Sequence, residues 1–139
     1  MLSNYRFIYE LDEGNIRDLL KLYENEAWSK NRKPEDVGKM LKNSWIIAII
    51  NSGNGDLIAF ARVLTDFIYR GFIYDVIVAE SYRGLGFGRL IVSNIVNNKT
   101  FKNVERIELN CIDSNVPFYE KLGFDKVPDG TNMMRYRRN

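Results

Sequence analysis

The residues best suited to chemistry form one short run, Arg83-Gly84-Leu85-Gly86-Phe87-Gly88. Glycines let successive backbone N–H groups point into a common concavity, and a helix starting just after them adds unpaired donors and its dipole. Arg83 adds a fixed positive charge with a fork of donors suited to phosphate oxygens. Together these residue types make a cradle for a pyrophosphate. The plainer alternative is a strand-to-helix turn that merely needs glycines. Two other phosphate loops fit poorly. A P-loop requires Gly-Lys-Ser/Thr, whereas Gly88 is followed by Arg89-Leu90. A dinucleotide fold places G-x-G-x-x-G early in a repeating βαβ series. Here the glycines read G-x-G-x-G, and hairpin-linked strands precede them.

Composition narrows the remaining chemistry. The chain has no histidine, which excludes a histidine-based triad and makes a zinc site a poor fit. The single cysteine, Cys111, allows no intrachain disulfide and suits a reducing cytosol, so a cytoplasmic location is expected. With no histidine to activate it, Cys111 reads as a small strand residue packed in the core rather than a nucleophile. Lys and Arg number 20 against 18 Asp and Glu, so the charge implies no partnership with nucleic acid or membrane. The apolar run Trp45–Ile50 is too short to span a bilayer, and the polar N-terminal stretch does not read as a signal peptide. At 139 residues, 45% hydrophobic and 27% charged, the expectation is one domain over residues 1–139.

The elements that must position the loop follow from periodicity and punctuation. Tyr5–Glu10 reads as a strand, and Asn15 as the cap of a helix to about Asn25, with Ile16, Leu19, Leu20 and Tyr23 at helical spacing. A polar loop around Trp28 leads to a second helix at Pro34, with Val37, Met40 and Leu41 on one face. Trp45–Asn51 and Leu57–Thr65 are strands joined by the turn Ser52-Gly53-Asn54-Gly55-Asp56, and Phe72–Val78 follows the turn Asp66–Gly71. After the loop Ser81–Gly88 comes a helix Arg89–Asn97, then a strand Arg106–Cys111 and a short helix Asn115–Leu122 stopped by Gly123. Phe124–Val127 and Met133–Tyr136 are expected as two closing strands. Strand, helix, strand in the middle implies a parallel pair within an otherwise antiparallel sheet.

Arg83-x-x-Gly86-x-Gly88 resembles the R/Q-x-x-G-x-G/A motif of the GNAT N-acetyltransferase superfamily. Asp75-Val76-Ile77-Val78-Ala79-Glu80-Ser81-Tyr82 is similar to that family's fourth strand and its lead-in to the loop. Asn115-Val116-Pro117-Phe118-Tyr119-Glu120-Lys121-Leu122-Gly123-Phe124 is similar to its late helix-turn-strand signature. The likeness runs from about Trp45 to Tyr136. Leu57-Ile58-Ala59-Phe60-Ala61-Arg62 further resembles the small subgroup that includes plant serotonin N-acetyltransferases. The implied fold is α/β: a mixed, mostly antiparallel sheet with a central splayed parallel strand pair, flanked by helices. The implied activity is transfer of an acetyl group from acetyl-coenzyme A, without a metal, to a primary amine, with a small molecule as the expected acceptor and a homodimer as the family's frequent assembly. Acetylation of a protein, or an inactive acyl-coenzyme A sensor, are the alternatives.

The resemblance also implies roles. Backbone groups of Ile77 and Val78 would pair with the pantetheine arm, with the Val78 N–H towards the thioester oxygen. Arg83, Gly84, Leu85, Gly86, Phe87, Gly88 and Arg89 would hold the pyrophosphate, and Asn115 would lie beside the pantetheine. Tyr119 would lie near the sulfur, where a phenol of pKa about 10 can protonate a departing thiolate of about 8.5. Asp75, a carboxylate in an apolar strand, is either a base whose pKa desolvation raises, or the partner of Arg62 or another arginine across the sheet, or a structural hydrogen-bond acceptor. Glu80 and Asp66 are weaker bases in surface turns. The acceptor is expected near Tyr23–Lys33 and Val127–Asn132; separately, Trp28, Phe67, Tyr69 and Tyr74 are candidate lining residues of an acceptor pocket, with core or surface packing as the alternative.

Overall fold

The computed structural model describes residues 4–138. Strand β1 (Tyr5–Ile8) leads through helices α1 (Glu13–Glu24) and α2 (Pro34–Lys42) into three consecutive strands, β2 (Trp45–Asn51), β3 (Leu57–Thr65) and β4 (Arg70–Val78). Helix α3 (Phe87–Asn97), strand β5 (Arg106–Leu109) and the short helix α4 (Val116–Glu120) follow. The sheet order is β1-β2-β3-β4-β5. Every neighbouring pair is antiparallel except β4 and β5, which run parallel.

Both faces of the sheet are covered, which explains why β2 and β3 read as nearly continuous apolar runs. On one face Ile47, Ile49, Ala61 and Val63 pack with Phe87, Ile91 and Ile95 of α3. On the other Ile46, Ala48, Ile50 and Phe60 pack with Leu19 and Tyr23 of α1 and Val37 of α2. Each fully buried Ile, Leu or Phe contributes about 1.5–3 kcal/mol of transfer free energy to holding helices on the sheet.

The β2–β3 turn is built as its residues suggest. The Asn51 side chain accepts from the Gly53 N–H at 2.8 Å, and Gly55 takes φ +80°. Several boundaries differ from expectation: β1 ends at Ile8, β4 begins at Arg70, β5 ends at Leu109 and α4 spans Val116–Glu120. The α1 cap is Asp12, not Asn15. Its carboxylate accepts from the Asn15 N–H at 2.8 Å, while the Asn15 side chain accepts from the Asp12 N–H at 3.1 Å. Both residues are good caps, and a reciprocal box satisfies two orphan donors where a lone Asn15 would satisfy one. Helix α3 starts at Phe87 rather than Arg89, because Gly86 supplies the left-handed N-cap with φ +89°. No strand forms over Phe124–Val127 or Met133–Tyr136. Val127, Met133, Met134 and Tyr136 are exposed, so the segment lacks the buried face that would hold it in a ladder. The parallel pair therefore lies at the edge of the sheet in the described residues, not at its centre.

A bulge in β4 decides which way the second half of that strand faces. Arg62 pairs with Tyr74 and Phe60 with Ile77, so Asp75 and Val76 lie opposite the single residue Ala61. Asp75 takes φ +57°, a conformation that asparagine and aspartate tolerate better than branched residues. The extra residue shifts the alternation. Ile73 packs on the α3 face, yet Ile77 packs on the α1–α2 face.

Candidate active site

Strand β5 pairs with β4 only through Ile73↔Leu109, while β4 continues to Val78. A gap thus opens beside the last residues of β4. The Ala79 N–H donates to the Ile58 carbonyl at 2.8 Å across the pair Ala59↔Val78. In an antiparallel ladder this makes Val78 a non-hydrogen-bonded position, with its N–H and C=O turned away from β3 and into the gap. By the same alternation the backbone of Ile77 belongs to β3. Of the two residues expected to offer backbone groups, Val78 turns them away from β3, whereas those of Ile77 face β3 and its side chain is buried.

The glycine loop meets this gap. No side chain caps α3, and the first helical acceptor found is the Gly86 carbonyl, taken by the Leu90 N–H at 3.0 Å. The N–H groups of Phe87, Gly88 and Arg89 are therefore the orphan donors of the first turn. Gly84 (φ +77°) and Gly86 both need a left-handed backbone that side chains resist. At Gly88 a Cβ would be tolerated, in ordinary contact at 3.6 Å with both Val78 Cγ2 and Phe118 Cζ. That contact brings the loop, the end of β4 and α4 to one place.

Arg83 leaves the loop and crosses this place. Its Nε donates to the Val78 carbonyl at 3.0 Å and its Nη2 to Glu26 at 3.0 Å. Leu85 and Arg89 are exposed on the loop and first turn. Asn115 ends a 3₁₀ turn, Asp113–Asn115, and precedes α4 with an exposed side chain that caps nothing. Tyr119 is half-buried in α4, edge-on to Phe118 and Phe124 at centroid distances of 5.0 and 5.9 Å. Burial, and secondarily the nearby Cys111 thiol, push its phenol above the ordinary value. Cys111 itself corrects an expectation: it is exposed, because β5 ends at Leu109 and the chain has already left the sheet.

On the other side of β4 stands Asp75. Its Oδ2 accepts from Arg32 Nη1 at 2.6 Å, Arg62 Nε at 2.7 Å and the Tyr23 hydroxyl at 2.9 Å. Its side chain is 5% exposed. Burial alone would raise the carboxyl, but hydrogen bonds and charge from Arg32 and Arg62 outweigh it, and the pKa lies below the ordinary value. This reverses the expected upward shift; the alternative, an ion pair with Arg62, is the one found. Burial and the same carboxylate push the Tyr23 phenol strongly up. Asp66 is also held low, its carboxylate accepting the backbone N–H groups of Arg70, Ile68 and Tyr69 in the β3–β4 turn. Glu80 is exposed in the lead-in to the loop.

Arg32 and Arg62 also line a cleft of about 450 Å³, together with Ala27–Asn31 and residues of α2. The Arg32 guanidinium lies over the Tyr23 ring at 4.6 Å and near the Trp28 ring at 5.3 Å. Of the expected acceptor residues, Trp28 lines this cleft. Phe67 and Tyr69 are exposed in the β3–β4 turn, outside its lining, and Tyr74 stacks with Arg62 at 5.2 Å. Sequence reasoning missed Arg32 and Glu26. Neither stands in a motif; both sit in the α1–α2 connection and become partners only through the fold.

Residues 14–124 match the Acetyltransferase (GNAT) family. The chain is 32% identical over 123 residues to the uncharacterized N-acetyltransferase ycf52 of Pyropia yezoensis, covering 86% of this chain and 70% of that one. It is 32% identical over 122 residues to the chloroplastic serotonin N-acetyltransferase 2 of Oryza sativa subsp. japonica, covering 83% of this chain and 61% of that one. Among solved structures, a GNAT-family acetyltransferase of Streptococcus pneumoniae superposes with a TM-score of 0.75 at 23% identity, covering 97% of this chain and 98% of that one. Among the described residues no helix is long and apolar enough to cross a membrane.

Proposed function

Because the chain belongs to the GNAT acetyltransferase family, whose members use acetyl-coenzyme A, we propose that it acetylates the primary amine of a small molecule by direct attack, with Tyr119 as the general acid. The observation that carries this reading is that the start of α3 at Gly88 faces both the Val78 side chain at the end of β4 and the Phe118 ring of α4. It puts backbone donors from a strand end and an uncapped helix start on one opening, next to a half-buried phenol. These residues fit the coenzyme. The orphan N–H groups of Phe87, Gly88 and Arg89, with Gly84, Leu85 and Gly86, suit a pyrophosphate. Val78 and Asn115 suit an amide-bearing arm. When bound, the coenzyme supplies the acetyl group as a thioester.

The chain's own groups then divide the work. The Val78 N–H is a fixed donor for developing negative charge on the acyl oxygen. Tyr119, held protonated by its raised pKa, keeps a proton ready for the sulfur. Asp75 acts as a positioning residue that fixes Arg32 and Arg62 at the wall of the acceptor cleft. A carboxylate whose oxygen accepts three bonds and whose pKa is lowered is a poor proton acceptor. The cleft volume, about 450 Å³, lies in the range of small-molecule sites. The lone exposed thiol of Cys111 suits the reducing cytosol.

The test is thiol release from acetyl-coenzyme A across small amines, lysine peptides and no acceptor. Amine-dependent release with small molecules supports the reading. Release only with peptides overturns the small-molecule assignment, and none with any acceptor, despite coenzyme binding, overturns the enzyme.

A further inference from the structure

We infer that the acceptor carries an acidic group, a carboxylate or phosphate, besides its amine, and that Lys30 and Arg32 receive it. This rests on the proposed acceptor cleft and names its substrate class. The lining of that cleft includes three cations, Lys30, Arg32 and Arg62, against one acid, Asp36. Asp75, behind the wall, neutralises one guanidinium and not both. An amine with no other charge meets a positive wall, and a polyamine meets it with several charges. An acceptor bearing an oxyanion gains from the same wall.

Arg32 is built for such a contact. Its Nη1 and Nη2 donate to Asp75 at 2.6 and 3.5 Å, Nη1 also to Met40 Sδ at 3.7 Å, and its Cζ lies 4.6 Å from the Tyr23 ring centroid, so the guanidinium is fixed before a ligand arrives, with the Nε–Nη2 edge left outside these contacts. Yet its side chain is 30% exposed, so donors remain on the cleft side. A planar fork with free donors matches two oxygens of a carboxylate or phosphate. Lys30, on the same short segment, is exposed and adds a second charge without a fixed geometry. The half-exposed Trp28 ring, beside Arg32, offers an apolar face to the rest of the acceptor. Arg62, 13% exposed and donating to Asp75 and Ser44, is the buried brace of this arrangement.

The experiment compares matched acceptors: tyrosine with tyramine, tryptophan with tryptamine, glucosamine 6-phosphate with glucosamine, and spermidine as the all-cationic extreme. kcat/KM is expected to favour an acid-bearing member over its twin by about tenfold to a hundredfold, one charge-assisted contact. The pair that shows it identifies carboxylate or phosphate as the group. Lys30→Ala is expected to shrink that preference several-fold, and an undiminished preference counts against the inference. Equal or better turnover of tyramine, glucosamine or spermidine overturns the inference. If no amine is acetylated the proposed function fails, and the inference is read by binding alone. Saturable quenching of Trp28 fluorescence, measured in a Trp45→Phe background, by the acid-bearing compounds and not by their twins supports it. Equal quenching by both overturns it.

Discussion

Replacing Asp75 with asparagine separates a positioning carboxylate from a catalytic base. The substitution keeps size and shape and removes one charge from a site where three donors converge on a single oxygen. Breaking a buried ion pair from one side costs about 3–5 kcal/mol, because the remaining charge stays desolvated. Two features reduce that figure here. The Arg32 side chain is 30% exposed and can be rehydrated, and the new amide oxygen still accepts one bond. Arg62, at 13%, has less access to water and carries most of the loss. The expected destabilisation is about 2–3 kcal/mol by urea denaturation. For a chain of this size that lowers Tm by roughly 6–12 °C.

The pH dependence fixes the sign. The folded pKa of Asp75 lies below its unfolded value of about 3.9. Its stabilisation is therefore fully present above that value and lost as pH falls through the folded pKa. The stability gap between wild type and Asp75→Asn should stay constant from about pH 5 to 8 and close below about pH 4. Turnover supplies the second arm. A lost base is replaced as the amine deprotonates by itself, so its deficit shrinks with rising pH. A lost strut moves Arg32, raises the acceptor KM, and gives a deficit that alkali does not repair. Unchanged stability together with a rate that recovers at high pH would refute the assignment and restore Asp75 as the base.

Three further outcomes concern the coenzyme side. Tyr119→Phe should lower kcat by about 10²–10⁴-fold with little change in coenzyme affinity. Because the Tyr119 phenol is pushed up, the deficit should persist from neutral pH to about pH 9, and pH–rate profiles check this. Arg83→Ala should weaken coenzyme binding by about 1.5–3 kcal/mol, measured by calorimetry, and unchanged affinity would make the loop structural. Glu26→Gln should tighten the coenzyme about twofold to fivefold, since it releases Arg83 from a part-exposed ion pair of about 0.2–1 kcal/mol. Weaker binding in that variant would mean that Glu26 orients Arg83 rather than competing for it.

Elements whose identity rests on a local pattern were legible in the sequence. Trp45–Asn51 and Leu57–Thr65 stand as expected, because an uninterrupted apolar run bounded by a Gly-Asn-Gly turn leaves no other solution. The parallel pairing of β4 with β5 followed from strand, glycine loop and helix in series. Misplaced boundaries occur where two residues compete for one role, as Asp12 and Asn15 do at the start of α1. The C-terminal strands failed for another reason. Alternation marks a segment able to pair, but the ladder partner and the buried face lie outside the segment itself.

The site divides along the same line. The glycine loop and the uncapped start of α3 were legible because backbone geometry is written in glycines and a following helix. The network of Asp75 with Tyr23, Arg32 and Arg62 was not, because it depends on the bulge at Asp75. Under strict alternation Ile73, Asp75 and Ile77 share one face, and a carboxylate among them looks desolvated and raised in pKa. One extra residue with φ +57° turns Asp75 towards α1 and α2, where Tyr23 and Arg32 wait beside Arg62. No periodicity announces a bulge, and neither Arg32 nor Glu26 is marked by spacing. The backbone irregularity that hides this network from the sequence also joins the two halves of the site. It stands three residues before Val78, so the strand whose last N–H turns away from β3 carries, just upstream, the carboxylate that holds Arg32 and Arg62 at the wall of the cleft.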